Sequence, residues 1–276
     1  MLNGFKKNTH VLVIIIIALG LVGFLASRPK FVVKGADKSV QQNQTNGTSN
    51  ENSHKISLKK EVKDQLIVLQ SQIVNAKEES EKIEIYRQIS TLFLKESIFD
   101  SAGFYLEKIS LIQPNLVNWS NAGDAYFQAY NLALDDKTAE LTLERTRFFY
   151  NKVLENQSEN LHAKTNLAMT FVRTDSPMKT IAMLREVLDQ DPNYVPAIMS
   201  LGGLSMQSNQ YEKAMARFQN VLKIDPLNVN AKIGLAYSFI ELNKKEEAKL
   251  LLEQVLARDI DKVMKDEITK TLNSLK

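Results

Sequence analysis

Apolar residues in the C-terminal half of the chain recur with a period of 34. Leu161–Tyr194, Val195–Asn228 and Val229–Lys262, written beneath one another, place Leu167, Leu201 and Leu235 at position seven. Position eight holds Ala168, Gly202 and Ala236, position twenty-seven Val187, Val221 and Val255, and position twenty-eight Leu188, Leu222 and Leu256. Within each block apolar residues step by three and four, which predicts two amphipathic helices per block. Asp191-Pro192 and Asp225-Pro226 close two of the blocks, where proline stops the second helix. A period of this length predicts a stack of helical hairpins, because a single hairpin cannot bury its apolar face alone.

The pattern continues upstream. Trp119, Ala122, Gly123 and Tyr126 fall at positions four, seven, eight and eleven of an earlier block, and Thr146, Tyr150, Val153 and Leu154 supply its second half. Leu116 to Leu161 spans 45 positions, so about eleven extra residues separate the two halves around Asn131–Glu144. One block earlier, Tyr86, Ile89, Ser90, Phe93, Ala102, Leu106, Ile109 and Pro114 fit the same frame. Position eight is small throughout (Ser90, Gly123, Ala168, Gly202, Ala236), as is position twenty (Ala102, Thr146, Thr180, Ala214, Ala248), where the helices of a hairpin must cross closely. Position twenty-four is large: Leu106, Tyr150, Leu184, Phe218 and Leu252.

On these residues the chain resembles the tetratricopeptide repeat (TPR) family over roughly Ile83 to Lys262. The resemblance implies an all-α fold: a right-handed superhelical array of about five hairpins, near 83–115, 116–160, 161–194, 195–228 and 229–262. Lys164 and Lys232 depart from the bulky residue usual at position four. Thr146 and Thr180 replace alanine at position twenty, which implies looser packing there. Val62, Leu66, Leu69, Ile73 and Ala76 predict a leading helix over about Ser57–Glu78, in a segment bounded at 57–80. Their spacing also suits a short coiled-coil seam. Val263, Met264, Ile268, Leu272 and Leu275 predict a capping helix over 263–276.

In the TPR family the first helix of each hairpin lines a concave groove, with positions two, five, nine, twelve and thirteen facing it. Carried over to the three regular blocks, the resemblance implies a peptide-binding groove of His162, Thr165, Met169, Val172 and Arg173. The groove continues with Met199, Gly203, Met206 and Gln207, then Asn230, Ile233, Tyr237, Ile240 and Glu241. That surface is apolar and methionine-rich, which suits varied apolar ligands; the alternative is that positions nine and twelve pack between hairpins. The Lys/Asn pair with which some TPR domains hold a terminal carboxylate has no match at positions five and nine, where the chain has Arg87/Thr91, Ser120/Asp124, Thr165/Met169, Met199/Gly203 and Ile233/Tyr237.

After a short basic tail at 1–10, Val11–Ala26 runs sixteen residues without a charge. At 1.5 Å per residue it reaches about 24 Å, against a hydrocarbon core of about 30 Å that flanking Lys and Arg can help to span. A cleaved signal peptide is the competing reading, but Phe24 or Leu21 at position −3 suits an uncleaved transmembrane anchor better. Lys/Arg counts on the two flanks lean towards a cytoplasmic array. The short basic head before the apolar run points instead to the exported, periplasmic side of a bacterial inner membrane, and that side is the expectation. Residues 27–56 read as a linker, polar and without periodicity from Lys38 to His54, and carry two sequons at Asn43 and Asn46.

Net charge is +3, but residues 1–38 hold six Lys/Arg against Asp37, while the remainder holds 29 against 31. The basic excess therefore belongs to the membrane-proximal tail and argues against nucleic-acid binding. There is no cysteine, no Walker loop and no G-x-S-x-G, and His162 lacks a second ligand for a metal. No cofactor, metal or catalytic residue is expected. The sequence therefore points to a membrane-tethered module that binds protein or peptide, as an adaptor or chaperone-like factor. The alternative is a self-associating scaffold built through the leading helix or the long second hairpin.

Overall fold

The computed structural model describes residues 58–173 and 177–275, which form twelve helices and no strand. The basic tail, the anchor at Val11–Ala26, the linker and its sequons lie outside the described residues. Among the described residues no helix is long and apolar enough to cross a membrane. The chain divides into two compact units, one ending at Lys152 and the other beginning at Val153.

The N-terminal unit holds α1 (Lys60–Asn75), α2 (Glu79–Lys95), α3 (Phe99–Ile112), α4 (Leu116–Leu132) and most of α5 (Asp136–Asn156). The leading helix is shorter than expected. Ala76 turns extended and ends α1, and Glu81 accepts the N–H groups of Lys77 and Glu78 at 3.1 and 3.5 Å. The acidic run at 78–81 is thus the capping box that starts α2, rather than part of the preceding helix. Leu66 of α1 is buried with Ile89, Phe93, Ile98 and Ala102. The eleven extra residues of the second hairpin make no long loop. They lengthen both helices: α4 has 17 residues and α5 has 21, against 13 and 14 in the fourth hairpin.

The C-terminal unit holds α6 (Leu161–Met169), α7 (Pro177–Gln190), α8 (Val195–Gln207), α9 (Tyr211–Ile224), α10 (Val229–Glu241), α11 (Lys245–Leu256) and α12 (Lys262–Ser274). Asn160, Asn228 and Asp261 each accept the N–H three residues on, capping α6, α10 and α12. The turn inside a hairpin repeats too. Ser97, Asn209 and Asn243 all stand at position fifteen with φ of 57–59°. Each lets the next residue's N–H reach back to the carbonyl of Phe93, Ser205 or Phe239 at 2.8 Å.

The small positions do what their size predicts. Ala102, Thr146, Thr180, Ala214 and Ala248 are all fully buried. The two threonines do not loosen their hairpins. Thr146 donates to the Thr142 carbonyl at 2.7 Å, and Thr180 crosses to the Ala168 carbonyl at 3.0 Å, so each hydroxyl is satisfied in place. Phe218 fills the space between two hairpins, with Gly202 on one side and Gly234 on the other.

Candidate functional site

The fourteen residues expected to face a groove do not form one open surface. Thr165, Met199, Gly203, Met206, Ile233 and Tyr237 are buried. Met199, Met206, Ile233 and Tyr237 share a single core with Ile268 of α12 and with Leu275, which caps that helix. Ser238 of α10 donates to the Met206 sulfur at 3.2 Å, and the Tyr237 hydroxyl pairs with Thr271 of α12 at 3.1 Å. The physical reason is residue type. Apolar side chains at positions five, nine and twelve lose water by packing against the first helix of the next hairpin, and α12 plays that part at the end of the chain. Met169, Val172, Ile240 and Glu241 are half-buried, while His162, Arg173, Gln207 and Asn230 are exposed.

In the first hairpin the same positions are open. Position five of the first hairpin is Arg87 and position nine is Thr91, and both are exposed on α2. Between α1 and α2 lies a cleft of 640 Å³. Its apolar lining is Val68, Leu69 and Leu92; its polar lining is Asp64, Gln65, Glu84, Arg87, Gln88, Thr91 and Lys95. A second cleft of 320 Å³ lies against the other flank of α2, lined by Ser90, Leu94, Phe99 and Leu106, with Asn121, Asp124, Ala125 and Gln128 of α4. Arg87 and Thr91 line both. Arg87 pairs with Glu84 at 3.8 Å, and with both side chains more than half exposed the contact leaves the guanidinium available.

The walls of the second cleft are held by polar contacts from behind. The Tyr150 hydroxyl donates to Asp124 at 2.6 Å, fixing a carboxylate that also lines the cleft. Deeper in the unit, Tyr126 donates to one oxygen of Glu107 at 2.7 Å, and Arg145 donates to the other at 3.2 Å. Burial, reinforced by Glu107, keeps the Tyr126 phenol protonated well above its ordinary range. Gly103 admits the Tyr126 ring, since a Cβ there would stand 2.9 Å from it. These contacts orient the helices that carry the cleft and supply no nucleophile or acid–base pair. Among the described residues no group of three or more His, Asp or Glu is placed to hold a metal ion.

A signal for the open site was present in the sequence. Arg87/Thr91 and Ser120/Asp124 are polar at both positions, where the last two hairpins have Met199/Gly203 and Ile233/Tyr237, which marks a face turned to water.

Residues 205–262 match the tetratricopeptide repeat family model. That segment is similar to tetratricopeptide repeats. Solved structures extend the likeness over more of the chain. A tetratricopeptide repeat protein from Parabacteroides merdae is 14% identical over 78% of each chain, with a TM-score of 0.59. PilF of Pseudomonas aeruginosa is 16% identical over 71% of this chain and 89% of its own, with a TM-score of 0.51. A thermophilic TPR protein of Thermus thermophilus is 14% identical over 65% of this chain and 91% of its own, with a TM-score of 0.50. No curated protein matches the chain. At such identities the likeness establishes the TPR fold and leaves the partner to be argued from the site.

Proposed function

We propose that this chain is a membrane-tethered TPR module that holds a segment of a partner protein along α2. The role is that of an adaptor or chaperone-like assembly factor. The observation that carries the reading is the pair of clefts sharing Arg87 and Thr91, which together give α2 an open flank on either side. Their chemistry suits an amphipathic segment: Val68, Leu69, Leu92 and Leu94 receive apolar side chains, while Asp64, Glu84, Arg87 and Lys95 offer charges of both signs. Val11–Ala26 supplies the tether, with the repeats on the exported side of a bacterial inner membrane.

A photoreactive amino acid at Gln88, installed in the full chain in its own cells, tests the site. The expected result is a discrete adduct absent when the probe sits at exposed Gln219 of α9. No adduct at Gln88, or the same adducts from both positions, counts against the cleft. Resistance to alkaline extraction from membranes tests the tether separately, and a fully extracted chain would remove it.

A further inference from the structure

The leading helix α1 is held lightly to the rest of its unit. Of its 16 residues only Leu66 is buried, against three on α2 and six on α3. Val62, Leu69 and Ile73 are half-buried beside it. Gln70 reaches the Tyr105 hydroxyl of α3 at 3.4 Å, beyond the usual length of a hydrogen bond. No side chain caps the start of α1. Lys59, Lys60 and Lys63 outnumber Glu61 and Asp64 there, at the end where the helix dipole disfavours positive charge. The connection to α2 is a joint. Glu81 accepts the N–H groups of Lys77 and Glu78, so α2 keeps its own start, and the extended Ala76 is left as the pivot.

The cleft that α1 walls is small for its proposed occupant. It measures 640 Å³, whereas two turns of helix, about 10 Å across and about 11 Å long, fill about 850 Å³. As it stands the cleft takes a few side chains and cannot enclose a segment. We propose that α1 is a hinged wall, which swings about Ala76 to admit the partner's amphipathic segment and then closes on it. This rests on the α2 cleft being the partner's site. Ile85, Ile89, Leu92 and Phe93 of α2 pack in one cluster with Leu66, so an opened α1 bares apolar surface next to the cleft. A segment that reaches this surface replaces the contacts α1 gives up, which offsets the opening. Val68 and Leu69 line the cleft from α1 itself, so closure carries them onto the segment.

The chain has no cysteine, so thiol chemistry on the full chain tests the hinge and its role separately. Ile89→Cys, in the cluster with Leu66, should label at least about tenfold faster than Ile109→Cys, which is equally buried on α3. Adding Leu66→Asp should speed the Ile89→Cys reaction about tenfold again and leave the Ile109→Cys rate unchanged, because α1 leaves by itself. Equal parent rates, or a Leu66→Asp that speeds both sites alike, overturn the hinge, since α1 then belongs to one cooperative core. For the role, Gln70→Cys and Tyr105→Cys are joined by a short bis-maleimide in membranes that carry the photoreactive residue at Gln88. Bridging should abolish the Gln88 adduct that the unbridged double variant keeps. An adduct that survives bridging overturns the gate and leaves the cleft standing as the partner's site. No adduct in the otherwise unaltered chain removes the cleft as the site, and the gate with it, while the labelling rates still report the hinge.

Discussion

Phe218 offers the sharpest single test of how the hairpins stack. Its ring is 1% exposed and is pinched between two glycines from successive hairpins. A Cβ on Gly202 would lie 2.6 Å from Phe218 Cε1, and one on Gly234 would lie 2.6 Å from Cζ. Carbon atoms prefer about 3.5–4.0 Å, so either methyl overlaps the ring by about 1 Å, and the ring cannot retreat because the other glycine's helix is behind it. Alanine gains about 1 kcal/mol over glycine in a helix, whereas overpacking a filled core costs about 1–3 kcal/mol. Gly202→Ala should therefore destabilise the C-terminal unit by about 1–2 kcal/mol despite its better helix propensity. Phe218→Leu shortens the ring position. In that background the clash goes, and Gly202→Ala should become neutral or stabilising. The coupling between the two sites should come to about 1–3 kcal/mol. Urea unfolding followed by circular dichroism, with hydrogen exchange over 195–241 to localise the change, measures all four corners of the cycle. A stabilising Gly202→Ala in the parent, or coupling below about 0.5 kcal/mol, refutes the clamp.

Four further outcomes are expected of the same structure. Ser97→Gly should stabilise the chain by about 0.5–1 kcal/mol, because serine at φ 57° carries the left-handed penalty that glycine lacks; Asn209→Gly and Asn243→Gly should gain less, as the midpoints of urea unfolding will show. Asn228→Ala removes the cap on Ala231 N–H and should cost about 0.5–2 kcal/mol in the same assay. Burial raises the Asp100 carboxyl above its ordinary range against the opposing Ser101 N–H bond. Asp100→Asn should therefore stabilise the chain at pH 7, with the gain fading as pH falls through the folded value towards 3.8, where the parent carboxyl is itself protonated. Tyr237 is pushed up to about 12, chiefly by burial, from an ordinary 10.0. Above pH 10 the unfolded chain sheds this proton first, so stability falls as pH rises towards 12, and Tyr237→Phe should flatten that slope in alkaline unfolding curves.

The fold was legible because stacking hairpins imposes size rules at fixed intervals. The small residues at positions eight and twenty and the large ones at twenty-four are what contact between helices requires. The second hairpin's extra residues were visible as a gap in register, yet their destination was not. A polar stretch such as Asp135–Glu144 reads equally as loop or as solvated helix until Asp135, accepting from Thr138 N–H at 2.9 Å, starts α5. The site was the least legible part. Regular repeats fit the family's groove positions best, but regularity brings apolar residues such as Met199 and Ile233, and those become core. Openness came with the irregular first hairpins, where Arg87, Thr91 and Asp124 keep water at the same positions. The capping box at Glu78–Glu81 was hidden for a similar reason, since charged runs on helices are usually solvated faces.

Open clefts along α2 and closed first helices in the C-terminal unit are the contrast on which the proposed binding site depends. Single cysteines in the otherwise cysteine-free full chain measure this contrast directly through rates of thiol labelling. Cysteines at Gln88 and Thr91 should label at nearly the rate of an unfolded control, and those at Met199 and Ile233 should be slower by about a hundredfold or more, as buried sites are. Equal rates at Thr91 and Ile233, or a protected Gln88 beside a reactive Met199, would contradict it.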